Sequence, residues 1–455
     1  MNMNKTTPAG YDEDRLQIVR VREDALFRSR IPRSQKLAAR ARRSMPDGVP
    51  MAWMAGLYRH PPIFAEEGSG AYFRDVDGNT YLDMNQSDMS MNCGYGPPPI
   101  VVVGIERLRK GSQFLLPTEN AIVVSELLAE RFGIPYWQYT LSASSANTEA
   151  LRLARVATGR DKIVVFHGSY HGHIDDTLVE SEGATSVPSQ LGTSIQVAKL
   201  TRVVPFNQQD ALAAALAPGD VSAVITEPAL TNIGVVQPEP DFHASLRAIT
   251  RQAGTLLILD ETHTQMAAWG GLTRTLGLNP DIITLGKSLG GGIAIGAYGM
   301  AEPLALVMEG HLDIDIGPNG LATGGTMYAN ALSMATARAA LQDILTPEGY
   351  QRVNALGTQL ADGIEHVAST HGLAWRAHRL GGRSGFCLRP TLPLNAEDAA
   401  LSLDIDFIDT RRVFMANRGI WEAIATAGPA ASFAQKEADI DYYLDVLNSF
   451  LDEIT

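Results

Sequence analysis

Short runs of consecutive apolar residues recur through the middle of the chain, and stretches with helical spacing separate them. KIVVF at 162–166, VSAVIT at 221–226, TLLILD at 255–260 and DIITLG at 281–286 are too short for helices and too continuous for half-exposed strands. They are predicted to be strands buried on both faces. ALAAALA at 211–217 and HASLRAITRQA at 243–253 carry the 3.6-residue spacing, and Gly254 supplies a left-handed stop after the second. Buried strands alternating with helices imply a mostly parallel sheet covered on both faces. Upstream, AYFRDVDGNTYLDM from residue 71 predicts two strands joined by a turn at Asp77-Gly78. Beyond about residue 330 the texture changes to a long helix, a few strands and a final helix, DIDYYLDVLNSFLDEI, which predicts a smaller α+β domain.

Composition narrows the function classes. Apolar residues make up 45% of the 455-residue chain and charged residues 19%, which suits a large core and excludes a disordered chain. No apolar run approaches the roughly 18 residues that a membrane helix needs. The start, MNMNKTTPAGYDEDR, has no apolar signal region, so secretion is not expected. Cys93 and Cys387 cannot build a disulfide framework or a four-cysteine zinc site, and no metal is expected. The charge balance, 37 − 50 = −13, argues against nucleic acid and for a soluble cytoplasmic protein. Ten Arg or Lys between Arg15 and Arg43 run against that balance. Leu37, Ala38, Ala39 and Ala41 interrupt them, so a solvated amphipathic helix is expected there.

The candidate chemistry sits where strands end. In open α/β sheets ligands collect at the carboxyl ends of the strands. Glu227 follows VSAVIT, Asp260-Glu261 follows TLLIL, and Lys287 follows DIITLG. A nucleotide-binding phosphate loop, GxxxxGK[ST], is excluded: the only Gly-Lys-Ser is 286–288, with Asp281 at the required first glycine, and it lies after the acidic strand. A lysine beside an acidic strand end also suits pyridoxal phosphate. That chemistry needs a Schiff-base lysine, a carboxylate for the ring nitrogen and an anion cup at a helix start.

With these parts present, the chain resembles the class III, fold type I pyridoxal-phosphate aminotransferases, in particular the branch holding glutamate-1-semialdehyde aminomutase. The resemblance runs from about Met45 to the C-terminus and is strongest over 142–330. SASSANTEALRLAR resembles the family's Ser-Gly-Thr/Ser-Glu-Ala-Asn helix start, with Ala143 in place of glycine and Ser145 in place of glutamate. It implies that Ser142, Ala143 and Ser144 cup the cofactor phosphate. SYHGH resembles the family's Tyr-His-Gly segment, which makes Tyr170 the ring-stacking residue and His171 its neighbour. Glu227-Pro228 with Asn232 and Gly234 resembles Glu-Pro-x-x-Gly-Asn-x-Gly, Thr231 replacing a glycine, and implies Glu227 near the cofactor's phenolic oxygen. Asp260 takes the place of the ring-nitrogen partner. Thr262 stands where the family has valine against the ring, with His263 next to it. Lys287 in ITLGKSLGGG takes the place of the cofactor lysine. Gly325-Thr326 in TGGTMYANALS looks like the segment that reaches the partner subunit's phosphate, so a homodimer with shared active sites is implied.

The fold this implies is α/β: a large domain on a mostly parallel sheet of the seven-stranded type, plus a smaller α+β domain. Residues 1–70 would form an N-terminal segment packing with the small domain, 71–330 the cofactor domain and 331–455 the small domain. The activity expected first is transamination in two half-reactions, from an amine donor to a carbonyl acceptor. The alternative is an isomerase of the same fold, an aminomutase or an amino-acid racemase. MPDGVPMAWM at 45–54 resembles the aminomutase stretch that carries a carboxylate-binding arginine, but Met54 occupies that place. Arg59, Arg379 and Arg383 remain as other anchors. Trp53, Tyr58, Met89 and Met91 suggest an apolar or aromatic pocket.

Overall fold

The computed structural model describes residues 9–57, 60–183, 185–312, 319–422 and 428–455. These fall into two compact units, one of residues 98–350 and 393–398, the other of residues 1–97, 351–392 and 399–455.

The larger unit is built on a seven-stranded sheet. In chain order its strands are β1 (Tyr136–Thr140), β2 (Lys162–Phe166), β3 (Thr201–Val204), β4 (Val221–Thr226), β5 (Leu256–Asp260), β6 (Ile282–Leu285) and β7 (Gly296–Met300). Their spatial order is β1-β7-β6-β5-β4-β2-β3. All neighbours pair in parallel except β7, which runs antiparallel to both β6 and β1. The four apolar runs read from the sequence are β2, β4, β5 and β6. Every residue of VSAVIT is buried, as a central strand covered on both faces requires. The helix Ala143–Thr158, called the cup helix below, packs Ala146, Ala150, Leu151, Leu153 and Ala154 into the core that also holds Ile163, Ile225, Ile258 and Ile282. Helix Phe242–Ala253 ends where expected: Gly254 at φ 61 donates its N–H to the carbonyls of Arg251 and Thr250.

The smaller unit has a four-stranded sheet, Ala65–Ser69, Tyr72–Asp75, Thr80–Asp83 and Ile420–Trp421 in that order. The basic N-terminal region is two helices, Glu13–Arg30 and Pro32–Ala41, where one was expected. Proline starts a helix well and interrupts one badly, so Pro32 sets the break. Leu16, Val19, Glu23 and Phe27 form the buried stripe of the first helix, and full burial of Phe27 contributes on the order of 1.5–3 kcal/mol. Glu23 is charge-paired where it lies. Burial pushes its carboxyl up, but hydrogen bonds from Asn417, Arg418 and Arg22 outweigh that and hold it below the usual range. The second helix has no side-chain cap of its own. Asp77, in the hairpin turn, supplies one by accepting from the amides of Arg33 at 2.6 Å and Ser34 at 2.9 Å.

The unit boundaries differ from those expected at 70/71 and 330/331. A two-stranded hairpin is marginal alone, and here Leu82 and Asp83 pair with Ile420 and Trp421, which places 71–84 in the smaller unit. Helix Ala331–Asp343 belongs to the larger one: Ser333 Oγ donates to the Ala294 carbonyl at 2.9 Å and the Leu332 amide to Ser112 O at 3.2 Å. Among the described residues no helix is long and apolar enough to cross a membrane.

Candidate active site

Parallel strands deliver their C-terminal ends to one edge of a sheet. Here β2 leads to 167–173, β4 to Glu227, β5 to Asp260, β6 to Gly286-Lys287, and β1 to the start of the cup helix. Ser142 is the N-cap of that helix, its Oγ accepting from the Ser145 amide at 3.2 Å. The amides of Ala143 and Ser144 belong to the first turn, whose N–H groups have no intrahelical acceptor and carry the positive end of the helix dipole. Ser144 Oγ is engaged by the His173 amide at 3.1 Å. Gly172 makes that approach possible: it sits at φ +92, and a Cβ there would lie 2.1 Å from Ser144 Oγ.

Asp260 is the centre of the site. It is 2% exposed, and its carboxylate accepts three hydrogen bonds. Oδ2 receives Asn147 Nδ2 and His171 Nδ1, each at 2.9 Å, and Oδ1 receives the Thr262 amide at 3.0 Å. A carboxylate has about four acceptor positions, so one remains, on Oδ1. Burial pushes the Asp260 carboxyl up, but the His171, Thr262 and Asn147 contacts outweigh it and hold the group below the usual carboxylate range. Because Asp260 only accepts, His171 must carry its proton on Nδ1. Asn147 is itself fixed: its Nδ2 also donates to the His171 carbonyl at 2.9 Å, and its Oδ1 accepts from Thr284 Oγ1 at 2.6 Å.

Glu227 is 3% exposed and accepts from Thr231 Oγ1 and, at 3.4 Å, from the Tyr170 amide. Burial pushes its carboxyl up to about 7, with Asp260 adding to the rise and His171, Thr231 and the Tyr170 amide opposing it. The group is thus poised to hold or release a proton near neutrality.

Lys287 opens the short 3-10 turn Lys287–Gly290 with φ 48, left-handed backbone that costs a non-glycine residue on the order of 1–3 kcal/mol. One side chain, Gln265, anchors the residue before it. The Gly286 carbonyl accepts from Gln265 Nε2 at 2.9 Å, and the same amide group donates to the Thr262 carbonyl at 3.0 Å. Gln265 therefore ties the loop after Asp260 to the loop that carries Lys287. Gly286 also has to be glycine, since a Cβ there would meet Ala143 Cβ at 2.9 Å. The alanine found at 143 in place of the family's glycine is accommodated by this bare neighbour.

The residues fit pyridoxal phosphate. The fourth acceptor position on Asp260 suits a ring N–H. His171 Nε2 and Thr262 Oγ1 are buried without a hydrogen-bond partner, two polar atoms that a bound polar ring can satisfy. Among the described residues no group of three or more His, Cys, Asp or Glu side chains is placed to hold a metal ion.

Asp260, His171, Glu227, Thr262, Ser142, Ala143, Ser144 and Tyr170 lie in one connected set of contacts, which Lys287 joins through Gly286 and Gln265. The Tyr170 ring is 40% exposed and lies edge-on to His173 at 6.5 Å. Asn232 is exposed in the loop between the bridged residues Leu230 and Val236, and its neighbour Thr231 makes the contact to Glu227. Thr326 is exposed as well, its carbonyl accepting from Gln113 Nε2. In the smaller unit, Trp53 and Met54 are exposed, Met89 is buried, and Arg379 is paired with Asp362 at 2.7 Å and Glu365 at 3.3 Å. Tyr58 and Arg59 lie outside the described residues. Asn147, Gln265 and Thr284 were not singled out from the sequence.

A sheet of this order, with a buried carboxylate and a strained lysine at adjacent strand ends, defines a pyridoxal-phosphate enzyme of fold type I. Within that class the chain belongs to the class III aminotransferases, whose family model matches residues 54–381. A glutamate-1-semialdehyde 2,1-aminomutase of Roseiflexus castenholzii is 34% identical over 362 residues, covering 78% of this chain and 82% of that protein. The crystal structure of a glutamate-1-semialdehyde aminomutase from Pseudomonas aeruginosa PAO1 in complex with PMP superposes with a TM-score of 0.93 at 34% identity, over 98% of this chain and 100% of the other. An omega-transaminase from Sphaerobacter thermophilus gives a TM-score of 0.84 at 30% identity, over 92% and 97%. These relatives favour the isomerase over the two-substrate transamination that the sequence placed first.

Proposed function

We propose that the protein is a pyridoxal-phosphate-dependent aminomutase that exchanges an amino group between neighbouring carbons of one small bound substrate. The agreement with an aminomutase structure along nearly the whole chain carries this reading. Bound pyridoxal phosphate supplies an electron-withdrawing ring that stabilises negative charge on the substrate carbon losing its proton. Asp260, kept ionised by His171, Thr262 and Asn147, would hold the ring nitrogen in its protonated, electron-poor state. Lys287 would carry the cofactor through its Nζ, and that amine, once the substrate's amino group has displaced it, would move the proton. Ser142, Ala143 and Ser144 would hold the phosphate at the cup helix, with Tyr170 for the ring and Glu227 for the phenolic oxygen.

The site is shared in a homodimer, with Thr326 of each subunit completing the other's phosphate cup. Two features support this. Thr326 is exposed, and the Gln113 contact sets its segment beside Phe114, Leu115 and Leu116, exposed by 48%, 72% and 70%. Large apolar side chains left open together mark an interface. The setting is cytoplasmic.

Transamination stays as a second reading because of one residue. An intermediate kept in place for re-amination needs a firm hold on its carboxylate, usually an arginine fork, and Met54 cannot supply one. Glutamate-1-semialdehyde, the substrate named for the relatives, is the first compound to test. Incubated alone with the enzyme, it should be converted to its amino-shifted isomer over many turnovers; no conversion beyond one equivalent per site would favour the transaminase.

A further inference from the structure

Glu149 lies on the cup helix, 5% exposed, and is used by nothing in the chemistry above. Its carboxylate instead holds a loop. Thr323 Oγ1 donates to Oε2, and the Gly324 amide donates to Oε1 at 3.2 Å and Oε2 at 3.3 Å. Tyr298 OH, on β7, donates to Oε2 at 3.3 Å and lies 3.2 Å from Thr323 Oγ1. A charged acceptor binding two adjacent residues of one loop fixes that loop's direction as well as its position. Gly324 sits at φ +87, and the following residues Gly325, Thr326 and Met327 are exposed, so the segment beyond the anchor lies at the surface. Arg152, also on the cup helix, donates to the Ala322 carbonyl at 3.1 Å. The helix whose N-terminus forms one subunit's phosphate cup thus also sets the segment carrying Thr326.

We infer that Glu149 is a positioning residue that acts across the dimer, aiming Thr326 at the phosphate cup of the other subunit. This rests on the shared-site reading proposed above. It makes each cup helix serve two sites, its own through Ser142–Ser144 and its neighbour's through Glu149.

Complementation between two crippled subunits tests it. Glu149→Gln keeps the side chain's volume but leaves one acceptor for donors that now use two oxygens. The purified variant should melt near the wild-type temperature, release pyridoxal phosphate roughly tenfold faster and lose activity to match. Lys287→Ala is inactive for another reason. In a mixed dimer the Glu149→Gln subunit keeps its own lysine and cup and receives Thr326 from a subunit whose Glu149 is intact. Random reassortment makes about half the dimers mixed, each with one sound site, so activity should return to about a quarter of wild type, with slow cofactor release from that site. Absence of recovery would overturn the inference, because Glu149 would then serve its own subunit's cup. Thr326→Ala mixed with Lys287→Ala separates the two failures. Recovery there without recovery for Glu149→Gln sinks the positioning role alone; no recovery in either pair sinks the shared site and the inference with it. Thr323→Ala removes the same contact from the loop side, and must behave as Glu149→Gln does should that variant fail to fold.

Discussion

His171 Nδ1 donates to Asp260 Oδ2 at 2.9 Å, with each residue 2% exposed. A carboxylate so deeply buried would ordinarily take up a proton. Its depressed pKa therefore depends on His171 first and on the Thr262 and Asn147 contacts with it, and these three donors keep the ring partner charged when it is needed.

Asp260→Asn should bind pyridoxal phosphate less tightly and lose most of its turnover, since an amide no longer favours a protonated ring. Cofactor titration of the apoenzyme and steady-state rates check both. Near wild-type turnover would show that Asp260 is not the ring partner.

Asn147→Ala removes one donor from Asp260 and another from the His171 carbonyl, at a cost of about 1–3 kcal/mol in stability. The Asp260 carboxyl should also rise, moving the acidic limb of the pH–rate profile upward. A profile that stays in place while stability falls would make Asn147 a packing residue only.

Lys287 should carry the pyridoxyl group after borohydride reduction and peptide mapping. Label on another lysine would end the assignment. Lys287→Ala should still retain cofactor through the cup while turning over nothing.

Glu227 carries a sign that can be checked. Its pKa is raised, so the folded apoenzyme binds a proton more tightly than the unfolded chain, and its stabilising effect is fullest below 4.5. That contribution is lost as pH rises from 4.5 to about 7, and amounts to roughly 3 kcal/mol at most. Denaturant unfolding at acid and mildly alkaline pH should show the wild type losing stability relative to Glu227→Gln. Parallel curves would mean that Glu227 titrates normally.

Much of this site could be read along the chain because it follows strand ends. The four continuous apolar runs read as buried strands by their shortness and continuity, and Glu227 and Lys287 follow two of them while Asp260 ends a third. What could not be read depends on contacts between distant parts of the chain. Asn147 meets Asp260 across 113 residues and Thr284 across 137, and an asparagine inside a helix gives no sign of either partner. Gln265 bridges two loops through backbone carbonyls, which leave no trace in side-chain pattern. β7, GAYGM, is glycine-rich because Gly296 and Gly299 lie against Ser142 and Trp137, where a Cβ would clash, so packing hid the strand signal. The hairpin at 71–84 was legible, but its pairing with Ile420–Trp421, and hence its place in the smaller unit, was not.

Whether the amino group stays with one substrate can be measured most directly by mixing the holoenzyme with a single amino substrate and no acceptor. Product isomers and the aminated cofactor are then followed together. An aminomutase converts the substrate pool to the isomer over many turnovers, and the cofactor returns to its starting form after each. Release of one equivalent of carbonyl product per active site, with all the cofactor left aminated and the pool otherwise unchanged, would contradict the aminomutase and establish the transaminase in its place.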